Sequence, residues 1–307
     1  MAEIVTSTTT GIRRDPFYIT AGRKIARQLT DIPSVRHGLR VVARAGGLPP
    51  SVWQRLPVEE TFRVNCPEGV SFQYHATAGD LIGRALYWRG VDAWESATIR
   101  TFRRLVRHAN SFMDIGANSG VYTVLAAAER PDIRCDSFEP VPHIYERLCE
   151  HIRLNHCEDR CKAHNVALSD FVGTAKFHVP FVDFPSSSSL NPTGFRGIHG
   201  RLIDVPVKTV DDVVAERKID LIKIDVEGFE DRVLQGMGSL LERSRPVMIV
   251  ECVPDGPYRK VAEMLSPLNY QFFHIREEAV LPQQTIVPDF RDVNYLCIPQ
   301  ERSKWLV

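Results

Sequence analysis

Short apolar runs that end in polar residues alternate along most of the chain with stretches of helical spacing. One run, Phe112 to Ile115, leads into Gly116, and an Ala-rich apolar stretch from Val121 to Ala128 follows at once. This pattern predicts a short buried strand, a tight glycine turn and a helix. A glycine turn at a strand's carboxyl end lets a ligand approach the backbone closely, and the helix behind it aims free N–H groups at that ligand.

The same strand–helix unit recurs towards the C-terminus. The later predicted strands are Cys135–Pro140, a strand and its exit within Lys162–Ser169, Ile219–Gly228 and Pro246–Glu251. The predicted helices are Pro142–Leu154, Phe229–Leu241 and Tyr258–Leu265. Apolar strands that alternate with helices predict an α/β fold of Rossmann-like type, with a mostly parallel, doubly wound sheet covered on both faces. Two late strands, Tyr270–Ile275 and Val293–Ile298, are expected to form an antiparallel edge.

The chain divides into an N-terminal extension, residues 1–78, and a larger domain, residues 79–307. Residues 1–15 are Ser/Thr-rich without periodicity and are expected to be disordered. Helical segments follow, and alternation from Phe62 to Tyr74 predicts a small β pair. Residues 171–210 form an insertion that is either a solvated loop or short hairpin, or a lid and substrate loop over the ligand.

Composition narrows the class of protein. The chain is 44% hydrophobic and 25% charged, which is ordinary for a globular protein. Its 38 Lys and Arg balance its 38 Asp and Glu, so the net charge gives no reason to expect binding to nucleic acid or to an anionic membrane. No apolar run approaches the roughly 20 residues that span a bilayer, and the N-terminus lacks a signal-peptide core. Seven scattered cysteines fit reduced thiols in a cytoplasm. The sequence leaves open whether the chain forms a homo-oligomer.

The spacing of the glycine turn separates two cofactor classes. Asp114, Gly116 and Gly120 read D-x-G-x-x-x-G, whereas the dinucleotide fingerprint is G-x-G-x-x-G. Asp114 would repel a pyrophosphate, but it would favour a ligand with a cationic or neutral polar group, such as S-adenosylmethionine. These three residues and Asn118 are therefore candidate cofactor ligands, and a nicotinamide-dependent oxidoreductase is the alternative.

Polar residues at the ends of the next strands extend the candidate cofactor site. Glu139, next to Pro140, lies 25 positions after Asp114 and suits a carboxylate that accepts hydrogen bonds from two ribose hydroxyls. Both dinucleotide and methyl-donor folds expect an acid there. Asn165, with Ala167, could flank an adenine ring, or it could be an ordinary turn-forming Asn.

Candidate catalytic groups follow the fourth strand. Asp225 and Glu227 could act as a general base with an orienting partner, or hold a divalent metal through oxygen ligands. Asp225 could instead bind the cofactor's methionine tail, and Glu227 could cap the next helix. His199, from the insertion, is a further candidate base. The segment His151–Cys161 invites a zinc interpretation but lacks a matched second cluster, so no metal is predicted.

Taken together, six segments resemble the FkbM family of S-adenosylmethionine-dependent methyltransferases. They occur in the family's order within residues 79–253: Asp80–Gly90, Met113–Gly120, Phe138–Pro142, Asn165–Asp170, Lys208–Asp212 and Lys223–Gly228. The resemblance implies a class I methyltransferase sheet, with Asp114, Gly116 and Gly120 near the methionine part of the cofactor and Glu139 on the ribose. It also implies O-methylation of a hydroxyl on a small-molecule acceptor, which would be a sugar, a glycolipid or a polyketide-like natural product. A non-catalytic cofactor-binding module is a further alternative.

Overall fold

A computed structural model describes residues 30, 32–180, 190 and 200–306 of the chain. Its helices are α1 (Pro33–Arg44), α2 (Pro50–Trp53), α3 (Leu81–Arg89), α4 (Ser96–Val106), α5 (Val121–Glu129), α6 (Pro142–Leu154), α7 (Val210–Val214), α8 (Glu230–Gln235), α9 (Gly238–Ser244) and α10 (Tyr258–Leu265). Its strands are β1 (Glu60–Asn65), β2 (Ser71–Ala76), β3 (Ser111–Ile115), β4 (Arg134–Phe138), β5 (Cys161–His164), β6 (Ala167–Leu168), β7 (Gly173–Pro180), β8 (Gly200–Lys208), β9 (Leu221–Ile224), β10 (Val247–Glu251), β11 (Tyr270–Ile275), β12 (Val280–Gln283) and β13 (Asn294–Pro299). Among these residues no helix is long and apolar enough to cross a membrane.

One eight-stranded sheet organises the domain. Its strand order is β12-β11-β13-β10-β9-β3-β4-β5, and the strands from β10 to β5 are parallel. Strand β13 inserts antiparallel between β10 and β11. The order reverses beside β3, because the chain continues to β4 on one side of it and reaches β9 on the other. The predicted mostly parallel sheet with an antiparallel edge is confirmed, and ligands bind at such a reversal.

The central strands are buried on both faces, as their continuous apolar sequence predicts. In β10, Val247 and Ile249 join one hydrophobic cluster, while Met248 and Val250 join another. The first cluster contains the apolar faces of α3, α4 and α5, and the second those of α7 to α10. Helices therefore cover both faces of the sheet, and its polar groups are concentrated at the strand ends.

The N-terminal β pair packs against the glycine turn. Strands β1 and β2 are antiparallel, and their buried residues belong to the same cluster as α4 and α5. His151 on α6 connects them to the turn: its Nε2 lies 3.1 Å from the backbone N of His75 and its Nδ1 lies 2.6 Å from the carbonyl O of Ser119. Burial lowers the pKa of His151 to about 4, so the ring is neutral at physiological pH. His151 is thus engaged in the backbone contacts of this packing.

The prediction of a single helix over Phe229–Leu241 is wrong, because the structure has two helices, α8 and α9, in its place. Gly236 lies between them against another segment: a Cβ there would stand 2.0 Å from the carbonyl O of Ser169. The Asp211 carboxylate then accepts the N–H groups of Ser239 and Leu240, each at 3.0 Å, and so starts α9 afresh. Both partners are distant in sequence.

The described ends of the insertion form a hairpin. Strands β7 and β8 pair antiparallel, and β6 joins them in a small sheet of order β6-β8-β7. This sheet packs on the start of α6 through Val141 and Ile144. Residues 181–189 and 191–199 lie outside the described residues, as do residues 1–15, so the lid and the disordered N-terminus stay predictions.

Candidate functional site

The glycine turn after β3 is built by close contact with the end of β9. Gly116 has a φ of +80°, and a Cβ there would lie 1.8 Å from the carbonyl O of Asp225. Only glycine avoids both the strained backbone and the clash. The turn therefore sits directly against the backbone of Asp225, which brings the first and fourth predicted strand ends together.

The backbone N–H groups of the turn are already bonded within the protein. Those of Gly116 and Ala117 donate to the carbonyl O of Phe138, at 3.0 and 2.9 Å. The N–H of Asn118 donates to Glu139 and that of Ser119 to the Asn118 side chain. These four groups precede the helix, which begins at Val121, so the expectation of free N–H groups on that helix stays a prediction. An anionic phosphate would find none of these four donors available.

Glu139 is held rigidly at the end of β4. Its Oε2 accepts the N–H of Asn118 at 3.0 Å, and its Oε1 accepts that of Val141 at 2.9 Å. The Asn165 side-chain amide donates to the carbonyl O atoms of Glu139 and Pro140, at 2.9 and 3.0 Å, and so supports the backbone of this loop. Burial raises the pKa of Glu139 to about 7, although its two N–H donors oppose the shift. The carboxyl is fixed in place and is costly to ionise without a further donor.

Asp114 lies beneath the turn and is 1% exposed. Its Oδ2 accepts the hydroxyl of Thr123 at 2.7 Å, and that hydroxyl also lies 2.7 Å from the hydroxyl of Ser137. Burial raises the pKa of Asp114 to about 6, against the opposing effect of Lys223. Asp114 thus ties β3 to the first turn of α5.

A buried ion pair and two further carboxyls lie at the ends of β9 and β10. The ammonium of Lys223, whose side chain is 3% exposed, lies 2.7 Å from Oδ2 of Asp225, which is 23% exposed. Burial would raise the pKa of Asp225, but Lys223 and a hydrogen bond with Glu251 hold it below its usual range. Burial and then the charge of Asp225 raise the pKa of Glu251. The pKa values of these two neighbouring carboxyls are therefore shifted in opposite directions.

The same carboxyls could serve as metal ligands. One oxygen each from Asp225, Glu227 and Glu251 lies within 4.8 Å of the others, and among the described residues this is the group that could hold a cation. Oxygen ligands of this kind suit a hard divalent ion. The ammonium of Lys223 already offsets part of the negative charge.

These groups line one cavity of about 250 Å³ at the carboxyl ends of β3, β4, β9 and β10. Seven of the residues predicted from the sequence are in its wall: Asp114, Gly116, Asn118, Glu139, Pro140, Asp225 and Glu227. Three others are not among the lining residues, namely Gly120, Asn165 and Ala167. A Cβ at Gly120 would lie 2.4 Å from the Leu148 side chain, so this glycine allows α5 to approach α6. His199 lies outside the described residues.

Sequence reasoning missed four ionisable residues of the wall: Glu95, Tyr122, Lys223 and Glu251. The sequence offered a signal for two of these four residues. Glu251 ends the β-branched fifth strand, and Lys223 begins the segment Lys223–Gly228 that resembles the FkbM family. The other two had no such signal. Tyr122 reads as an ordinary helix residue, and Glu95 lies 19 positions before Asp114 in a segment without strand character. Only the fold brings them to the cavity.

The raised pKa values predict that the ligand-free protein loses stability as pH rises from about 4.5 to about 7. Glu139 titrates near 7 and Asp114 near 6 when folded, above their usual values, so the folded state binds more protons than the unfolded chain in this range. The unfolding free energy then falls with rising pH. Glu139 alone accounts for about 3 kcal/mol.

Urea unfolding at pH 5 and pH 8 measures this slope. The Glu139→Gln variant should lose much of the difference between the two values, because it cannot titrate. Glu158→Gln, at an exposed position, is the matched control. Equal slopes in wild type and Glu139→Gln would contradict the assignment.

Known proteins are similar in sequence to much of the chain that builds this site. The model of the "Methyltransferase FkbM domain" matches residues 114–280, just over half of the 307-residue chain. Methyltransferase sdnD of Sordaria araneosa is 26% identical over 201 residues, which are 55% of this chain and 77% of the relative. The 31-O-demethyl-FK506 methyltransferase FkbM of Streptomyces tacrolimicus is 28% identical over 163 residues, 43% of this chain and 61% of that protein. The chain thus spans less than two thirds of this second relative.

Solved structures give a weaker likeness. The crystal structure of Methyltransferase FkbM from Methylobacillus flagellatus is 18% identical, with a TM-score of 0.43, and covers 62% of this chain and 43% of that one.

The match to the family model begins at Asp114, ends at Val280 and so contains the glycine turn, Glu139 and the acids at the ends of β9 and β10. By that match, the chain belongs to the FkbM family of methyltransferases.

Proposed function

We propose that the protein transfers a methyl group from S-adenosylmethionine to a hydroxyl oxygen of a small-molecule acceptor, which is a sugar, a glycolipid or another natural product. The observation that carries the proposal is the cavity itself. It opens where the strand order reverses, has a rigid carboxylate at the end of β4 and holds acids at the ends of β9 and β10. The relative from Streptomyces tacrolimicus is named as a methyltransferase of a 31-O-demethyl compound, which favours an oxygen acceptor.

Each part of the donor would meet a matching group. The two oxygens of Glu139 are oriented by backbone N–H groups and can accept hydrogen bonds from the two ribose hydroxyls. The methionine part would lie over Gly116, which lines the cavity between the ends of β3 and β9. Six carboxyls in the wall face one lysine, so a cation such as the sulfonium is favoured over an anion. A dinucleotide would bring its pyrophosphate to the same acids.

Methyl transfer requires the protein mainly to position the two reactants and to supply a base. The acceptor oxygen attacks the methyl carbon in line with the departing sulfur, so holding the two reactants in line supplies most of the rate gain. A carboxylate then accepts the hydroxyl proton. Asp225 is suited to this because its lowered pKa keeps it ionised while it remains open to the cavity. Glu227 lines the same wall, and His199 stays a predicted base.

Calorimetric titration with S-adenosylmethionine, S-adenosylhomocysteine and NAD tests the donor class. The first two should bind and NAD should not. Glu139→Ala should weaken binding about 100-fold, because it removes two charge-assisted hydrogen bonds of about 1.5 kcal/mol each. Asp204→Ala, which removes an exposed carboxylate on β8, is the control and should not change affinity. Binding of NAD, or of none of the three, would overturn the proposal.

Transfer itself is measured with radiolabelled donor and a panel of hydroxylated sugars and macrolides. Asp225→Asn and Glu227→Gln separate the candidate bases, because each keeps the size of the side chain and removes its basicity. If both variants keep full turnover with unchanged donor affinity, neither carboxylate is the base. If label is never transferred although the donor binds, the protein is a non-catalytic module.

A further inference from the structure

Glu95 is a strained residue in the wall of the cavity. It precedes α4 with φ 45° and ψ 44°, a left-handed backbone that a residue with a Cβ adopts only at a cost. Such conformations persist where the surrounding structure enforces them, and they concentrate at ligand-binding positions. Glu95 also lies before the part of the chain that matches the family model, which begins at residue 114.

The contacts of Glu95 fix its carboxylate towards the cavity. The hydroxyl of Tyr122 donates to its Oε2 at 2.6 Å. The ammonium of Lys223 stands 4.8 Å from the ring centroid of Tyr122, so the positive charge lies beside this pair. On the outer side, the next residue, Ser96, donates its hydroxyl to Glu277 at 2.5 Å and so anchors the start of α4. The chain is therefore tied on both sides of the strained residue.

The place of Glu95 along the cavity identifies which part of a ligand it would meet. Glu139 marks the end of β4, whereas Tyr122 and Lys223, the neighbours of Glu95, belong to α5 and β9. Strands β4, β3 and β9 are adjacent in that order, at a spacing of about 4.8 Å per strand. A nucleoside held by Glu139 would thus extend its other end across Gly116 towards Glu95.

This placement rests on the proposed function. Granted that function, we infer that the Glu95 carboxylate binds the α-ammonium group of the methionine part of S-adenosylmethionine. A half-buried carboxylate that Tyr122 orients is matched to a compact cation. Burial raises the pKa of Glu95 and Lys223 opposes this shift; a bound ammonium would act in the same direction as Lys223 and favour the ionised carboxylate. The cofactor site then extends beyond the family-matched segment into the chain before α4.

The first experiment compares two ligands that differ only in the amino acid part. Wild type and Glu95→Gln are titrated calorimetrically with S-adenosylhomocysteine and with 5′-methylthioadenosine, which keeps the nucleoside and the sulfur but lacks the amino acid. Glutamine keeps the shape and can still accept the Tyr122 hydrogen bond. The dissociation constant for S-adenosylhomocysteine should rise 10- to 100-fold, and that for 5′-methylthioadenosine should stay within about twofold.

Either of two results would overturn the inference. Unchanged affinity for S-adenosylhomocysteine would mean that Glu95 does not touch the methionine part and faces the acceptor instead. An equal loss for both ligands would mean general damage to the cavity. If wild type binds neither S-adenosylmethionine nor S-adenosylhomocysteine, the proposed function itself fails. If it binds both and Glu95→Gln is unaffected, only the role of Glu95 fails.

A second pair of variants separates ligand binding from backbone strain. Glu95→Gly and His156→Gly both place glycine at a left-handed position, since His156 has a φ of 51°, and His156 is exposed beyond the end of α6. Glycine suits both backbones, so both variants should fold with a Tm at or above that of wild type. Only Glu95→Gly should lose affinity for S-adenosylhomocysteine, again 10-fold or more. Equal affinity in the two variants would contradict the inference.

Discussion

Replacement of Gly116 by alanine is expected to lower the free energy of unfolding by about 3 kcal/mol or more and to abolish binding of S-adenosylmethionine. The added Cβ would lie 1.8 Å from the carbonyl O of Asp225 and 2.8 Å from its carbonyl C. These are backbone atoms at the end of a buried central strand, so they cannot turn away as a side chain could. The turn and β9 must separate, and with them the two sides of the cavity.

A matched control isolates the clash from the backbone angle. Gly46, after α1, has a φ of +82° against +80° for Gly116, but a Cβ there would meet nothing within 4 Å. Gly46→Ala should therefore lose only about 1–2 kcal/mol, the cost of a left-handed alanine, and bind ligand normally. Urea unfolding and calorimetry compare the two. If both variants lose the same stability, the close approach to Asp225 is not what requires glycine at 116.

Replacement of Lys223 by methionine should cost about 3–5 kcal/mol of unfolding free energy, because it leaves carboxylates unpaired in a buried setting. Lys223 is the one lysine in the described wall of a cavity that also contains Glu95, Asp225 and Glu251. Its ammonium bonds Asp225 at 2.7 Å, and the nearby acids raise its own pKa against the effect of burial. Methionine fills a similar volume, so the loss is electrostatic.

The control for this variant is an ion pair of the same type on the surface. Lys176 and Asp204 lie 2.8 Å apart with side chains 59% and 61% exposed. Water screens such a pair, so Lys176→Met should change stability by less than about 1 kcal/mol. If Lys223→Met also lost less than about 1 kcal/mol, the buried ion pair would not contribute the expected stability.

The loss of unfolding free energy in Lys223→Met is expected to depend on pH. Without the ammonium, the folded pKa values of Glu95 and Glu251 should rise further above their unfolded values, and that of Asp225, which Lys223 holds low, should rise as well. The folded variant then binds more protons than its unfolded chain, and its unfolding free energy rises as pH falls. The deficit relative to wild type should be smaller at pH 5 than at pH 8, measured by urea unfolding.

Local sequence was sufficient to predict the parallel strands of the sheet, because each of them carries its own signal, but it did not predict the edge strand β12. An apolar run that ends at Gly116 or at Glu139 can be a buried strand whatever surrounds it, and acids at the strand ends must meet where parallel strands end together. The helix from Pro142 to Leu154 has the same bounds in the structure. The split of Phe229–Leu241 was missed because its causes, Ser169 and Asp211, are distant in sequence.

The sequence by itself determined the order of strands and helices, the glycine turn and the carboxyls that stand at the strand ends, because these depend on periodicity and residue type within a few positions. The tertiary structure alone decided which carboxyls share a cavity, in which direction the pKa of each is shifted and which residue from before the family-matched segment joins them. Asp225 has a lowered pKa because Lys223 contacts it, and Glu251 a raised one because it is buried beside Asp225. Glu95 reaches the site through the hydroxyl of Tyr122, 27 positions away. Burial and charge act through space, so their outcome depends on neighbours that only the folded chain brings together.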